Sequence, residues 1–308
     1  MQRDYVGYAG KPPILEWPGG NRLALSIVLN YEEGSERTVR EGDGVDETIC
    51  EWGEFDLGPG VRNYTIESFT EYGSRAGVWR LLDLFDKHQI KTTFFACGMA
   101  LEKNPSVAKA IASRGHEVCS HGYRWEDHLN LNRDDDRARI RLAADSLERT
   151  TGVRPTGWFA KNGLKDQTRE LLVEEGFLYD SNEYNEDVPY FIEVNGQPHL
   201  ILPYSSDTND FRYWRAPGFV NANDYFTFLK DSLDVLLAES ATVPKMMSVG
   251  LHNRISGKPA RSLAIDRFIE YAKTQPGVWI ARRDEIAQWW LDNRPAGSSL
   301  PGSANLTD

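Results

Sequence analysis

Short apolar, β-branched runs alternate with amphipathic helical patterns along most of the chain, and this rhythm constrains the fold more tightly than any other feature. Residues 22–31, RLALSIVLNY, follow the turn-rich WPGGN and read as a buried strand. In 77–89, GVWRLLDLFDKHQ, Val78, Leu81, Leu82 and Phe85 recur at i, i+3, i+4 and i+7, which predicts a helix. The alternation continues with a strand over 91–98, a helix over 104–115, a strand over 116–121 and a helix over 134–152. Pro105 and Gly115 punctuate the first of those helices, and acidic residues open the second, where they favour its dipole. Strand-like 155–160, helical 166–176 and strand-like 177–181 follow. Asn195-Gly196 between two apolar runs in 189–204 interrupts the rhythm with a predicted β-hairpin. A helix over 224–240, a strand over 245–252, a helix over 261–275, a strand over 277–282 and a helix over 284–293 complete the set. Such repetition implies an α/β fold of parallel strands joined by right-handed crossovers.

At 308 residues the chain spans either two average domains or one large α/β barrel, which commonly takes about 250 residues. No change of composition divides it, so one domain is expected over 1–295, with the small, polar stretch 296–308 as a disordered tail. Residues 34–76, rich in Gly and acidic groups, are long for a plain connection and are expected to cover a site. The net charge of -11 argues against nucleic acid and against an anionic membrane surface as partners. No run approaches the roughly 18 to 20 apolar residues of a membrane span. The opening MQRDYVGYAGKPP lacks the apolar core of a signal peptide. Cys50, Cys97 and Cys119 form no CxxC pair, and the last two read as buried thiols, so a cytoplasmic location is expected.

In a barrel the chemistry collects at the C-terminal ends of the strands. Those ends carry Asn30, Tyr31, Glu32 and Glu33, then His121, then Lys161 and Asn162 beyond GWFA, then Asp180, then His252 with Arg254 just after. Carboxylate, imidazole and amine groups are what the hydrolysis of a small amide requires. Water needs a base, the tetrahedral oxyanion needs a stabiliser, and the leaving nitrogen needs an acid. Glu32 and Glu33, side by side near His121, would repel each other and raise at least one pKa, supplying a base near neutral pH. His252 is the candidate acid, Asp180 a group to orient an imidazole or bind a substrate N–H, and Lys161 or Arg254 a holder of a carboxylate or carbonyl. His88, His116 and His199 have no evident partner in the sequence, and Trp289 and Trp290 read as packing residues.

The order of these groups, with LNYEEGSE, EYGSRAGVWRLL, EVCSHGYRW, YDSN and PKMMSVGLHNR, resembles the NodB-homology polysaccharide deacetylases over roughly residues 4 to 295. More closely it resembles the metal-independent allantoinase and cyclic imide hydrolase branch. The resemblance implies a distorted TIM-like (β/α) barrel of the NodB type carrying the inserted hairpin, a small cyclic amide as substrate, no cofactor, and a homo-oligomer, with the tetramer typical of the branch. It matches Glu32 to the general base of the metal-dependent deacetylases, and Glu33 and His121 to two of their metal ligands. Trp125 replaces the third ligand. The alternative is a zinc-dependent N-deacetylase or imidase in which Glu33, His121 and His128 hold the ion, His128 lying two helical turns past His121 if that segment is helical. A third reading is a binding barrel without turnover.

Substrate contacts are expected from Tyr31, Trp125, Trp158, Phe159, Lys161, Asn162 and Arg254. Two positions depart from the family pattern. Lys161-Asn162 stands where Gly-Arg is usual, exchanging a planar fork for a point charge, and Asn253 stands where a small residue is common.

Overall fold

The computed structural model describes residues 4–54 and 56–293; the predicted C-terminal tail lies outside them. In chain order the strands are β1 (Leu23–Tyr31), β2 (Ile49–Cys50), β3 (Gly53–Glu54), β4 (Thr93–Ala96), β5 (Glu117–Ser120), β6 (Gly157–Trp158), β7 (Tyr179–Asp180), β8 (Tyr190–Val194), β9 (Gln197–Ile201), β10 (Lys245–His252) and β11 (Val278–Ile280). The helices are α1 (Tyr64–Tyr72), α2 (Val78–His88), α3 (Gly98–Lys103), α4 (Pro105–Ser113), α5 (Arg133–Thr151), α6 (Asp166–Glu174), α7 (Ala222–Glu239), α8 (Pro259–Thr274) and α9 (Arg283–Asn293). Sequence reading located all of these except α1, α3 and the small β2–β3 ribbon.

One curled sheet runs β10-β1-β4-β5-β6-β7-β9-β8, with β11 beside β1 below β4. Its pairs are parallel except β8 with β9, the hairpin that Asn195-Gly196 predicted. The local signals that set the helices are those the sequence carries. Asn132 caps α5 by accepting from the Asp135 N–H, Gly152 ends it in the left-handed region, and Asn221 with Asp224 forms a capping box on α7.

The pleat decides which side chains reach the interior of the curl. All nine residues of β1 are buried, but Leu23, Leu25, Ile27, Leu29 and Tyr31 join the core under the helices, while Ala24 and Val28 join the core inside the curl. Even-numbered residues of β1 therefore face inward. In β5 the inward residue is Cys119, and in β10 it is Met246, so His121 and His252 continue the inward rows. A third core packs Trp158 with Ile140, Leu171 and Phe177 outside the sheet.

The sheet does not close, since β10 and β8 are its ends. A cavity of about 700 Å³ lined by Tyr184, Tyr204, Asp207, Ser232 and Met246 lies beside β10. Along β10 the segment before Asp210 adds a single parallel bridge, Asn209 to Gly250. None of the helices described is long and apolar enough to cross a membrane.

Candidate active site

The inward rows deliver Glu32, His121 and His252 to one place at the C-terminal ends of β1, β5 and β10, all nearly inaccessible to solvent. His121 Nε2 lies 3.1 Å from Glu32 Oε1, and His252 Nε2 lies 3.8 Å from the same oxygen. The other nitrogen of His121 meets the Phe159 carbonyl at 2.9 Å. Both partners of that ring, the Glu32 carboxylate and the Phe159 carbonyl, are oxygen acceptors.

His252 is oriented differently. Its Nδ1 donates to Asp210 Oδ1 at 2.7 Å, and its backbone N–H donates to Asp210 Oδ2 at 2.8 Å. Asp210 is fully buried and also accepts from the Ser256 hydroxyl at 2.6 Å. The carboxylate fixes Nδ1 as the donor and leaves Nε2 turned toward Glu32. Sequence reading missed Asp210. It opens a short 3₁₀ turn, Asp210–Trp214, and the Asn209–Gly250 bridge is what lays that turn beside His252.

Arg254 is the cation of the site. Its guanidinium reaches Glu32 Oε2 at 2.7 Å and Glu33 Oε1 at 3.6 Å. The rings of Trp125 and Trp214 lie 5.4 Å and 5.6 Å from it, and Lys161 Nζ sits 3.5 Å from the Trp125 ring centre. The expected carboxylate repulsion is resolved unequally. Burial would raise the Glu32 carboxyl, but Arg254 and the hydrogen bond from His121 outweigh it and hold Glu32 well below the usual carboxylate range. Burial, with the Glu32 charge, pushes Glu33 up despite Arg254. Glu32 is thus a poor proton acceptor as it stands.

Bare backbone makes room for Glu33. A Cβ on Gly73 would collide with Glu33 Oε1, and one on Gly77 would collide with the Asn253 carbonyl. That close approach is the physical content of the EYGSRAG stretch, whose Gly73–Gly77 segment forms a π turn between α1 and α2.

Three predicted site residues lie on the helix-facing side of their strands. Tyr31 is fully buried on the helix side, its hydroxyl 2.7 Å from Ser74 Oγ. Trp158 is fully buried against Phe177 and His128. Asp180 does orient an imidazole, but that of His199 at 3.1 Å, and it pairs with Arg169 at 2.8 Å, apart from Glu32, His121 and His252. In each case the neighbour one residue along, Glu32, Phe159 or Tyr179, takes the inward position. Asn162 sits exposed at a left-handed turn position. Lys161 is brought to the wall of the site, but its charge is spent on Glu47 at 3.2 Å, which ties the 34–76 cover to the sheet. Phe159 stacks on Phe95 at 4.7 Å and lines the site beside His121.

The zinc alternative does not find its ligands. The segment after His121 is irregular rather than helical, so the i+4 and i+7 spacing loses its meaning. His128 Nδ1 meets Asp136 at 2.8 Å, and among the described residues no three His, Cys, Asp or Glu side chains form a group able to hold a metal ion. A guanidinium lies beside the two carboxylates where a cation would be sought.

The polysaccharide deacetylase family model matches residues 55–177. A Schizosaccharomyces pombe protein assigned to the polysaccharide deacetylases is 37% identical over 95% of this chain and 98% of its own length. The peptidoglycan deacetylase of Helicobacter pylori is 26% identical over 73% of this chain and 87% of its own. Among solved structures, Puue allantoinase superposes with a TM-score of 0.91 at 46% identity, covering 96% of this chain and 99% of that one. A Pseudomonas aeruginosa protein assigned to the polysaccharide deacetylases does so with a TM-score of 0.91 at 47% identity over the same shares. With its fold and nearly its full length matched in this way, the chain belongs to the polysaccharide deacetylase family of hydrolases.

Proposed function

We propose that this hydrolase opens a C–N bond of a small cyclic amide, such as allantoin, hydantoin or a cyclic imide, by general acid–base attack of water. The observation that carries the reading is Arg254: a buried, fixed cation held between two indoles beside both carboxylates. Such a preorganised charge stabilises the oxyanion of an attacked carbonyl without needing a metal at that point. Similarity to Puue allantoinase over nearly the whole chain supports the same substrate class.

In this scheme His252 Nε2, aligned by Asp210, takes a proton from water as its oxygen bonds to the carbonyl carbon. The tetrahedral oxyanion forms against Arg254. The C–N bond then breaks, and the departing nitrogen takes a proton from His252 or from the Glu32–His121 pair. The ionised Glu32 stabilises whichever imidazole is charged. Such proton transfers contribute typically about 10²- to 10⁴-fold each. Trp125, Phe159 and Trp214 supply flat walls for a planar ring.

The test is a substrate panel of allantoin, hydantoin, succinimide and glutarimide set against chitooligosaccharides. Ring opening without acetate release supports the reading. Acetate release from the oligosaccharide, with no ring opened, would replace it with a deacetylase activity like that named for the Helicobacter pylori relative. Binding of a ring without turnover would leave a non-catalytic barrel.

A further inference from the structure

Asn253 belongs to none of the roles above, yet it is fully buried beside Glu33, just past the end of β10. Its Nδ2 donates to the Asn30 carbonyl at 2.8 Å and to Glu33 Oε2 at 3.0 Å. Those two bonds use both amide hydrogens and fix which atom is the oxygen. Oδ1 is left as a buried acceptor with no hydrogen-bond partner. On the next residue, Arg254 Nη1 is a buried donor with no hydrogen-bond partner, 3.6 Å from Glu33 Oε1. One carboxylate therefore holds both groups, Asn253 on one oxygen and Arg254 on the other. Buried polar groups left unmatched are rare and costly, and here Asn253 Oδ1 and Arg254 Nη1, from adjacent residues, are unmatched together with the neighbouring Glu32 Oε2 and Glu33 Oε1.

Amide geometry says what matches them. An open-chain secondary amide, such as the acetamido group of an N-acetyl sugar, is trans, with its C=O and N–H on opposite edges. Ring closure forces the cis form and puts C=O and N–H side by side on one edge. We propose that Asn253 is a specificity-determining residue, its Oδ1 accepting the ring N–H while Arg254 Nη1 donates to the neighbouring carbonyl oxygen. The ligand class is then a lactam, imide or hydantoin that carries a free N–H on that edge. This rests on the cyclic-amide reading above and narrows it.

The test compares kcat/KM for glutarimide and N-methylglutarimide in the wild type, Asn253→Ala and Asn253→Leu. The leucine variant keeps the branched shape and leaves no added room, so it separates a lost acceptor from an enlarged site. The wild type should favour the N–H compound by about 10²-fold or more, because a site built around a hydrogen bond rejects the analogue that lacks it. Both variants should bring the ratio to near one. A merely structural role would lower both rates together and keep the ratio, which overturns the proposal while leaving the cyclic-amide reading intact. A wild-type ratio near one, or a ratio that collapses in Asn253→Ala alone, overturns it as well. Should neither variant fold, Asn253→Val, which also lacks the acceptor, is read in the same way. No turnover of any ring by the wild type removes the underlying reading, and this inference with it.

Discussion

Replacing Asp210 by asparagine changes one proton in the site and almost nothing else. Asp210 Oδ2 accepts two backbone N–H groups, from His252 at 2.8 Å and Ser256 at 3.2 Å, and neither donor can be reversed. An asparagine must therefore keep its carbonyl oxygen on that side and turn its NH₂ toward His252 Nδ1, where the carboxylate oxygen stands at 2.7 Å. The imidazole then accepts at Nδ1 and carries its hydrogen on Nε2, the nitrogen that the mechanism needs free. Loss of a general base costs about 10²- to 10⁴-fold, or roughly 3–5 kcal/mol of transition-state stabilisation. The fold should lose far less, about 1 kcal/mol, since one charge-assisted bond becomes a neutral one. The assay is kcat/KM for the best cyclic amide, with Tm and the histidine ring ¹⁵N shifts measured on the same preparations. Asp210→Asn should match His252→Ala in rate loss, keep its Tm within a few degrees, and show His252 protonated at Nε2. A variant within about threefold of wild-type activity would refute the tautomer argument.

Arg254→Met should be costly to the fold as well as to the rate. It leaves Glu32 and Glu33 buried without their shared cation, a loss of about 3–5 kcal/mol, and an unchanged Tm would show the pair to be weaker than its geometry suggests. Stability should also fall with rising pH through Glu117, a carboxyl buried at the start of β5. Burial, with the Asp284 charge, pushes its pKa from 4.5 up to about 7. The folded state thus binds that proton more tightly than the unfolded chain, so the contribution is full below pH 4.5 and lost as pH rises through 7. Tm measured at pH 5 and pH 8 should fall more steeply for the wild type than for Glu117→Gln, and parallel curves would contradict this.

Much of the fold is legible because each strand–helix unit carries its own local signals. The apolar run of β1, the Pro105 start of α4 and the Asn-Gly turn of the hairpin each act within a few residues. The order of charged strand ends likewise pointed to Glu32, His121, His252 and Arg254. What failed was parity. Tyr31, Trp158 and Asp180 sit at the right strand ends but on the face that packs against helices, and a period-two count from Ala24 and Val28 already places Tyr31 there. Asp210 and Trp214 were out of reach for a different reason. They enter the site through a bridge between Asn209 and Gly250, a long-range contact that no local pattern announces. His88, His116 and His199 illustrate the same limit, since their partners Asp266, Thr92 and Asp180 come from chain neighbours in space.

The most direct test of the account is turnover of allantoin, hydantoin, succinimide and glutarimide by chelator-treated protein whose metal content is assayed on the same sample. The arrangement of Arg254, Glu32, His121 and His252 predicts full ring-opening activity with far less than one metal ion per chain. Activity that disappears on stripping and returns with zinc would contradict it, and would mean that the site rearranges to bring a third ligand beside Glu33 and His121.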